Sequence, residues 1–306
     1  MKTPRTHSLK RGFTLMELMV AMAITTIIVT VLVSITSIAL DTWNRSRAEL
    51  RASRQAKAMV DGMARDFESM VTRRSNPNEW LVATSPDSMP GSATLTSSNA
   101  SDLIFFSGST DRYNGAIGGT DDKGGDVSCI GYSLSYRDPI MESGNFKTFV
   151  LNRVLVNPDD TFRDLLGKTD LDTAFSPYKT RLRDSSNFVC ENIYQFTVTF
   201  HVEVTIPGTG GAPPQVVTKP FTIGQSTGGQ VVKSFRIKGT GIETPPTTAT
   251  EVAAGRIKAV EISLTVLSDN GVDQVRTRQF RDERQKQDFL LKNSYHYTKL
   301  VQLPGM

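Results

Sequence analysis

From Leu18 to Leu40 the chain contains no charged residue. Folded as a helix, that stretch spans about 35 Å, enough to cross the hydrocarbon core of a bilayer. One carboxylate, Glu17, stands at its mouth. Before it lies a short polar leader, Met1–Gly12, which carries Lys2, Arg5, Lys10 and Arg11 and no acid. That charge asymmetry keeps the leader cytoplasmic and puts everything after Asp41 on the outer face of the membrane. A secretory signal has a shorter apolar region closed by small residues at a cleavage site. This run is longer and no A-x-A-like site closes it, so a plain signal anchor is the simplest reading. It leaves Glu17 unexplained. A carboxylate entering lipid is costly, and by default it implies a function and a partner.

The basic leader also accounts for the charge of the whole chain. The formal net charge is +4, with 35 basic and 31 acidic residues. Setting aside the four leader cations leaves 31 against 31. The excess is therefore local, and no interleaving of basic and aromatic residues suggests nucleic-acid binding. The 306 residues suffice for one large domain or two. Cys129 and Cys190 have no C-x-x-C spacing and no nearby histidine pair, which argues against a zinc site. On an exported domain they could form a disulfide; otherwise they are two buried thiols.

The segment "KRGFTLMELMVAMAI" resembles the leader and cleavage region of type IV prepilins and type II secretion pseudopilins. Gly12, Phe13, Thr14, Leu15 and Glu17 all match that pattern. The resemblance implies cleavage between Gly12 and Phe13 by a membrane prepilin peptidase, then N-methylation of the Phe13 amine. It also implies a charge pair between Glu17 and the Phe13 ammonium of a neighbouring subunit. Such a pair holds register only when both charges are matched. Major pilins usually carry a helix-kinking proline in this segment. Here the stretch reads "VLVSITS", which leans toward a minor pilin or pseudopilin. Two further stretches, "MARDFESMV" and "IKAVEISLTVL", look like J-type minor pseudopilins. The segment "CIGYSLSY…FVLNRVLVNPDDTF" is similar to Verru_Chthon cassette protein C.

Past Asp41 the helix is expected to continue as an amphipathic half. Met59, Met63, Phe67 and Met70 fall on one stripe, which reads as core rather than as a binding groove. Lys57, Asp61 and Arg65 stand opposite at i, i+4 spacing on a solvated face. Asn76-Pro77 should end the helix, with a linker beyond it. Farther on the pattern is β. "YQFTVTFHVEVTI" puts Phe196, Val198, Phe200, Val202, Val204 and Ile206 on one face, and "VEISLTVL" alternates in the same way. That alternation argues for antiparallel sheet. Further strands are expected over Leu103–Ser107, Val127–Tyr136, Phe146–Val156, Val216–Ile223, Val231–Ile237 and Asp273–Phe280.

Two motifs suggest other chemistry. "GQSTG" around Ser226 matches the G-x-S-x-G nucleophile elbow, which requires a following helix and a base. The next segment reads as strand, and only His201 and His296 follow Gly12. The loop with Asp121, Asp122 and Asp126 clusters oxygen ligands but lacks EF-hand spacing, so it reads as turn chemistry.

The expectation is an α+β, pilin-like fold: a leader at 1–12, a transmembrane helix at 13–40, an amphipathic helix at 41–77, a linker at 78–101 and an exported antiparallel β domain at 102–306. The function implied by the resemblance is a minor pilin or pseudopilin in the inner membrane, with no catalytic residues, cofactor or metal. Its partners would be the prepilin peptidase, other pilin subunits, an inner-membrane assembly platform and the lipid bilayer, and not nucleic acid. A membrane-anchored binding or sensory protein is the alternative, with an anchored serine hydrolase behind it.

Overall fold

The computed structural model describes residues 14–86, 101–108, 125–141, 144–208, 213–224, 231–245 and 249–303. The chain divides into two compact units, Met1–Leu50 and Arg51–Met306. One helix, α1 (Leu15–Glu68), runs through the boundary between them. From Leu15 to Asn44 its side chains are exposed, and its most apolar window has a mean hydropathy of 2.6. Threonine and serine are accommodated there because their hydroxyls fold back onto carbonyls one turn earlier. Thr25 donates to Ala21, Thr26 to Met22 and Thr30 to Thr26, each at 2.8 Å. By length and composition the helix can cross a membrane.

The second unit is built from two sheets that share one core with the end of α1. The larger has seven strands in the order β10-β9-β1-β2-β3-β4-β5. These are β1 (Glu79–Thr84), β2 (Asp102–Ser107), β3 (Ser128–Arg137), β4 (Thr148–Val156), β5 (Phe188–Glu191), β9 (Ser234–Lys238) and β10 (Gly241–Glu243). The smaller has five, in the order β12-β11-β6-β7-β8. They are β6 (Ile193–Ile206), β7 (Gln215–Ile223), β8 (Val231–Val232), β11 (Arg256–Leu267) and β12 (Ser294–Gln302). Pairing is antiparallel except between β7 and β8, where two residues run parallel. The architecture is α+β, with a long N-terminal helix and antiparallel sheets, consistent with a pilin-like fold.

Strand periodicity decides which residues meet α1. On the inner face of the larger sheet, Leu81, Ala83, Leu103, Phe105, Ile130 and Phe149 join Met59, Met63 and Phe67 of the helix stripe. Phe67 and Phe105 stack at 4.7 Å. Phe200 and Phe235 stack at 4.3 Å and join the two sheets. Burying side chains of this size stabilises by roughly 1.5–3 kcal/mol each before entropy is counted. The outer face of the larger sheet is covered as well. Trp80, Val82, Ile104, Phe106, Val154 and Val156 lie under a layer of short helices between Pro158 and Asn187, which contributes Leu165, Leu171, Phe175, Tyr178 and Leu182. Gly131 admits that layer: a Cβ there would come within 2.5 Å of Phe175 Cζ.

Four expectations are corrected. The region 78–101 is not simply linker, because its first part, β1, lies inside the larger sheet with both faces buried. The buried Glu79 fixes the strand's start, accepting from Arg236 at 2.8 Å and from the Leu171 amide at 2.7 Å. The β region therefore begins before residue 102, and it includes the helical layer. Helix α1 ends at Glu68 rather than near Asn76, because Met70 bridges to Ser107 and the Val71 amide donates to Phe106. Asp273–Phe280 is not a strand. Asp269–Thr277 is helical, with Ser268 accepting from the Gly271 amide at its N-cap and Val272 and Val275 buried. Finally, Cys129 and Cys190 are free and buried. They lie on β3 and β5, either side of β4, opposite Val156 and Leu151 respectively. Two strand spacings of about 4.8 Å and five residues at about 3.3 Å separate them, far beyond the roughly 7 Å limit for a bridge. They also face opposite sides of the sheet, in separate apolar clusters.

Candidate assembly site at the start of the N-terminal helix

Thr14 immediately precedes the first helical residue, and Glu17 is the third residue of the helix. The Glu17 carboxylate accepts from the Thr14 amide at 3.0 Å and from its hydroxyl at 3.1 Å. In return the Glu17 amide donates to Thr14 Oγ1 at 3.3 Å. This is a capping box, in which two backbone donors without helical partners are satisfied reciprocally. The spacing Thr-x-x-Glu is visible in the sequence, yet it is easily passed over beside the prepilin-like pattern that contains it. Within one chain, then, Glu17 has a local partner. Gly12 and Phe13 lie outside the described residues.

A second polar cluster fixes the other end of the helix. Asp66, in its last turn, is buried and receives both arms of Arg153: Nε at 2.7 Å and Nη2 at 2.9 Å. The buried Tyr132 hydroxyl also donates to Asp66. Burial, with the Asp66 charge beside it, pushes the Tyr132 phenol well above its usual range. Ser107 donates to the Asp66 carbonyl at 3.2 Å. The cluster is a fastening between α1, β3 and β4, and nothing about it is open to substrate.

Among the described residues, those of the other motifs are not assembled into a site. Ser226, Asp121 and Asp122 lie outside the described residues. From Val231 onward the chain forms β8 and β9. His201 faces Glu261 at 3.4 Å, and His296 lies within reach of Ser263, Thr265 and Thr298, both on the polar side of the smaller sheet. Asp126 is exposed, and among the described residues no group of three metal-binding side chains occurs. Asp61, expected to pair along its own helix, instead meets Lys299 of β12 at 2.6 Å, and that ammonium holds its carboxyl below the usual range.

A capped apolar helix that continues into an α+β unit is consistent with a pilin-like fold. A family model of the prokaryotic N-terminal methylation motif matches residues 7–33, which cover the end of the leader and the first part of α1. The chain is type IV prepilin- or pseudopilin-like, an exported protein whose N-terminal helix suits membrane anchoring. The motif implies dealings with a prepilin peptidase and with other pilin subunits in general. No curated protein and no solved structure matches the chain.

Proposed function

We propose that the protein is a minor pilin or pseudopilin, a structural and assembly subunit of a type IV pilus-like or type II secretion fibre. It inserts in the inner membrane with its leader in the cytoplasm and is cut between Gly12 and Phe13. The new amine is methylated, and the subunit joins a fibre or its initiating complex through an inner-membrane platform. The observation that carries this reading is the methylation motif at residues 7–33, set on a helix whose first residues are capped by Thr14 and Glu17. Glu17 then has two duties, closing its own helix and offering a carboxylate to the Phe13 ammonium of a neighbour.

The capping box lets the two duties be separated. Glutamine serves at the same position of a capping box, so Glu17→Gln keeps the helix start and removes only the charge. The variant should be processed and reside in the membrane but fail to crosslink to partner subunits in native membranes. Crosslinking equal to wild type would remove Glu17 from any intersubunit pair. Processing is read independently from the mass of the N-terminal peptide: N-methyl-Phe13 is expected, and intact Met1–Gly12 on native protein overturns the reading.

A further inference from the structure

Three apolar side chains stand out into solvent on the loop between β3 and β4. Ile140 is 82% exposed, Met141 65% and Phe146 78%. With Pro139 and Val272 they line an open cleft of about 520 Å³. A single exposed apolar residue is ordinary, but three on one loop tip mark an interaction surface. The backbone of the loop is fixed from within. Asp138, itself buried, accepts from the Ile140 amide at 2.9 Å and the Met141 amide at 3.1 Å with one oxygen, and from the Phe146 amide at 3.2 Å with the other. Gly144 closes against the same carboxylate, where a Cβ would lie 1.9 Å from Oδ2, and its amide donates to the Met141 carbonyl at 2.9 Å. The apolar residues are thus presented on a preorganised backbone, which lowers the ordering cost of any contact they make.

The loop lies at the end of the C-terminal unit where the chain enters it. Met70 bridges to Ser107, which is paired with Ser128, so β3 starts beside the end of α1 and runs back toward Arg51. A chain of hydrogen bonds fastens the loop to that entry point. Thr148, at the loop's foot, donates to Asn192 Oδ1 at 2.6 Å. Asn192 donates to Asp269 Oδ1 at 2.9 Å, and Arg51 meets the other oxygen of Asp269 at 3.1 Å. Only ten residues, Asp41–Leu50, connect the uncharged run to Arg51. As helix they measure about 15 Å. Among them is Trp43, a residue type that settles at headgroup level.

The charges beside the loop are largely compensated. Asp269 meets Arg51, Asp273 meets Arg276, and Asp138 is held by amides. Coulombic attraction to a charged ligand is therefore weak, and the apolar tip itself decides what binds. A bilayer offers what such a tip needs, because its interface accepts apolar side chains without a complementary shape. The anchor also holds the tip near that surface at all times, which makes the contact effectively intramolecular.

We infer that the β3–β4 loop is a lipid-contacting tip, which sets Ile140, Met141 and Phe146 into the outer headgroup region of the bilayer that holds the anchor. The unit is then held to the membrane at two points, its helix and its loop. This rests on the membrane anchoring proposed above, and not on the fibre role.

The test is a nitroxide on Asn145→Cys in the full chain, reconstituted at low density in vesicles of phosphatidylethanolamine and phosphatidylglycerol. The native Cys129 and Cys190 are buried and so shielded from the label. Spin relaxation by oxygen, which concentrates in lipid, is compared with relaxation by a nickel chelate, which stays in water. The Asn145 label should meet oxygen in preference to the chelate. A label on Thr240→Cys, exposed in the turn between β9 and β10, should show the reverse. Ile140→Ser, Met141→Ser and Phe146→Ser together leave Asp138 in place and should return the Asn145 label to the chelate. A Ser34→Cys label reads the anchor separately. Ser34 in lipid with Asn145 in water overturns the tip alone, whereas Ser34 in water overturns the tip and the anchor together. Shielding of the Asn145 label from both reagents, fading on dilution in lipid, would mean that a second copy covers the loop, and that also overturns the inference.

Discussion

At the scale of single residues, the strongest commitment in the C-terminal unit is the Asp66–Arg153 pair. Both partners are buried, and the contact is bidentate. Removing one partner of such a pair leaves a charge without compensation and typically costs about 3–5 kcal/mol. Arg153→Met should therefore lower the free energy of unfolding in urea by that amount, seen as a lower midpoint, and adding Asp66→Leu should recover part of it. An unchanged midpoint would show that the pair contributes nothing to stability. Nothing in the sequence joined these residues, because they stand 87 positions apart on elements of different type. Asp102 supplies a prediction of opposite character. Its folded carboxyl titrates near 6 against an ordinary 3.8. Below about pH 4 both states are protonated, and the group is neutral to stability. As pH rises toward 6 the unfolded chain releases its proton first, so folding grows less favourable, and the penalty persists above 6. Asp102→Asn should therefore gain stability over wild type between about pH 4 and pH 6 and then level off. Denaturant unfolding at several pH values reads this directly, and a flat difference would refute it.

At the scale of elements, what could be read from the sequence depended on whether a strand has a wet face. β6 and β11 alternate because one side meets the core and the other stays partly open, so their period of two was visible. β1 hides both faces, with Trp80 and Val82 outward and Leu81 and Ala83 inward, and a short unbroken apolar run carries no period at all. The helix at Asp269–Thr277 was misread because its buried Val272 and Val275 are few and their spacing is short. The stripe of α1 was legible, whereas its end was set by pairing with β2 rather than by a local stop signal. Strand order also governs the cysteines. Each thiol is buried in a separate cluster, and burial pushes Cys129 well above its usual range and Cys190 up to about 12. Thiol titration of the denatured, unreduced protein should find two free thiols per chain, and none would contradict the strand order described here.

At the scale of the whole molecule, the α+β class and the apolar anchor were legible, but the division into two sheets was not. No pattern in the sequence says which strands share a sheet once both sheets face one core. The core also needs the end of α1: Ala52, Ala56, Met59, Val60, Met63, Ala64 and Phe67 all belong to it. A fragment beginning at Asn44 retains these residues and should be soluble, with mixed helix and strand by circular dichroism. A fragment beginning at Ser85 loses both the stripe and β1, and it should not fold. Folding of the shorter fragment would deny the helix its place in the core.

The capping box at Thr14 and Glu17 has a consequence for the helix macrodipole. The peptide dipoles of a long helix sum to a partial positive charge at its first turn, where carboxylates are favoured and cations are repelled. Phe13 directly precedes Thr14 in the chain. If the Gly12–Phe13 bond is cut as proposed, the new ammonium appears at the worst electrostatic position its own helix offers. Methylation retains the positive charge, so it does not relieve the repulsion. One carboxylate then stands between two positive fields, its own helix end and a terminal ammonium. On the proposed reading, with its own Glu17 engaged at the helix start, each amine would be quieted by the carboxylate of a neighbouring subunit. If processing occurs as proposed, the repulsion inside each subunit would become a reason for subunits to associate.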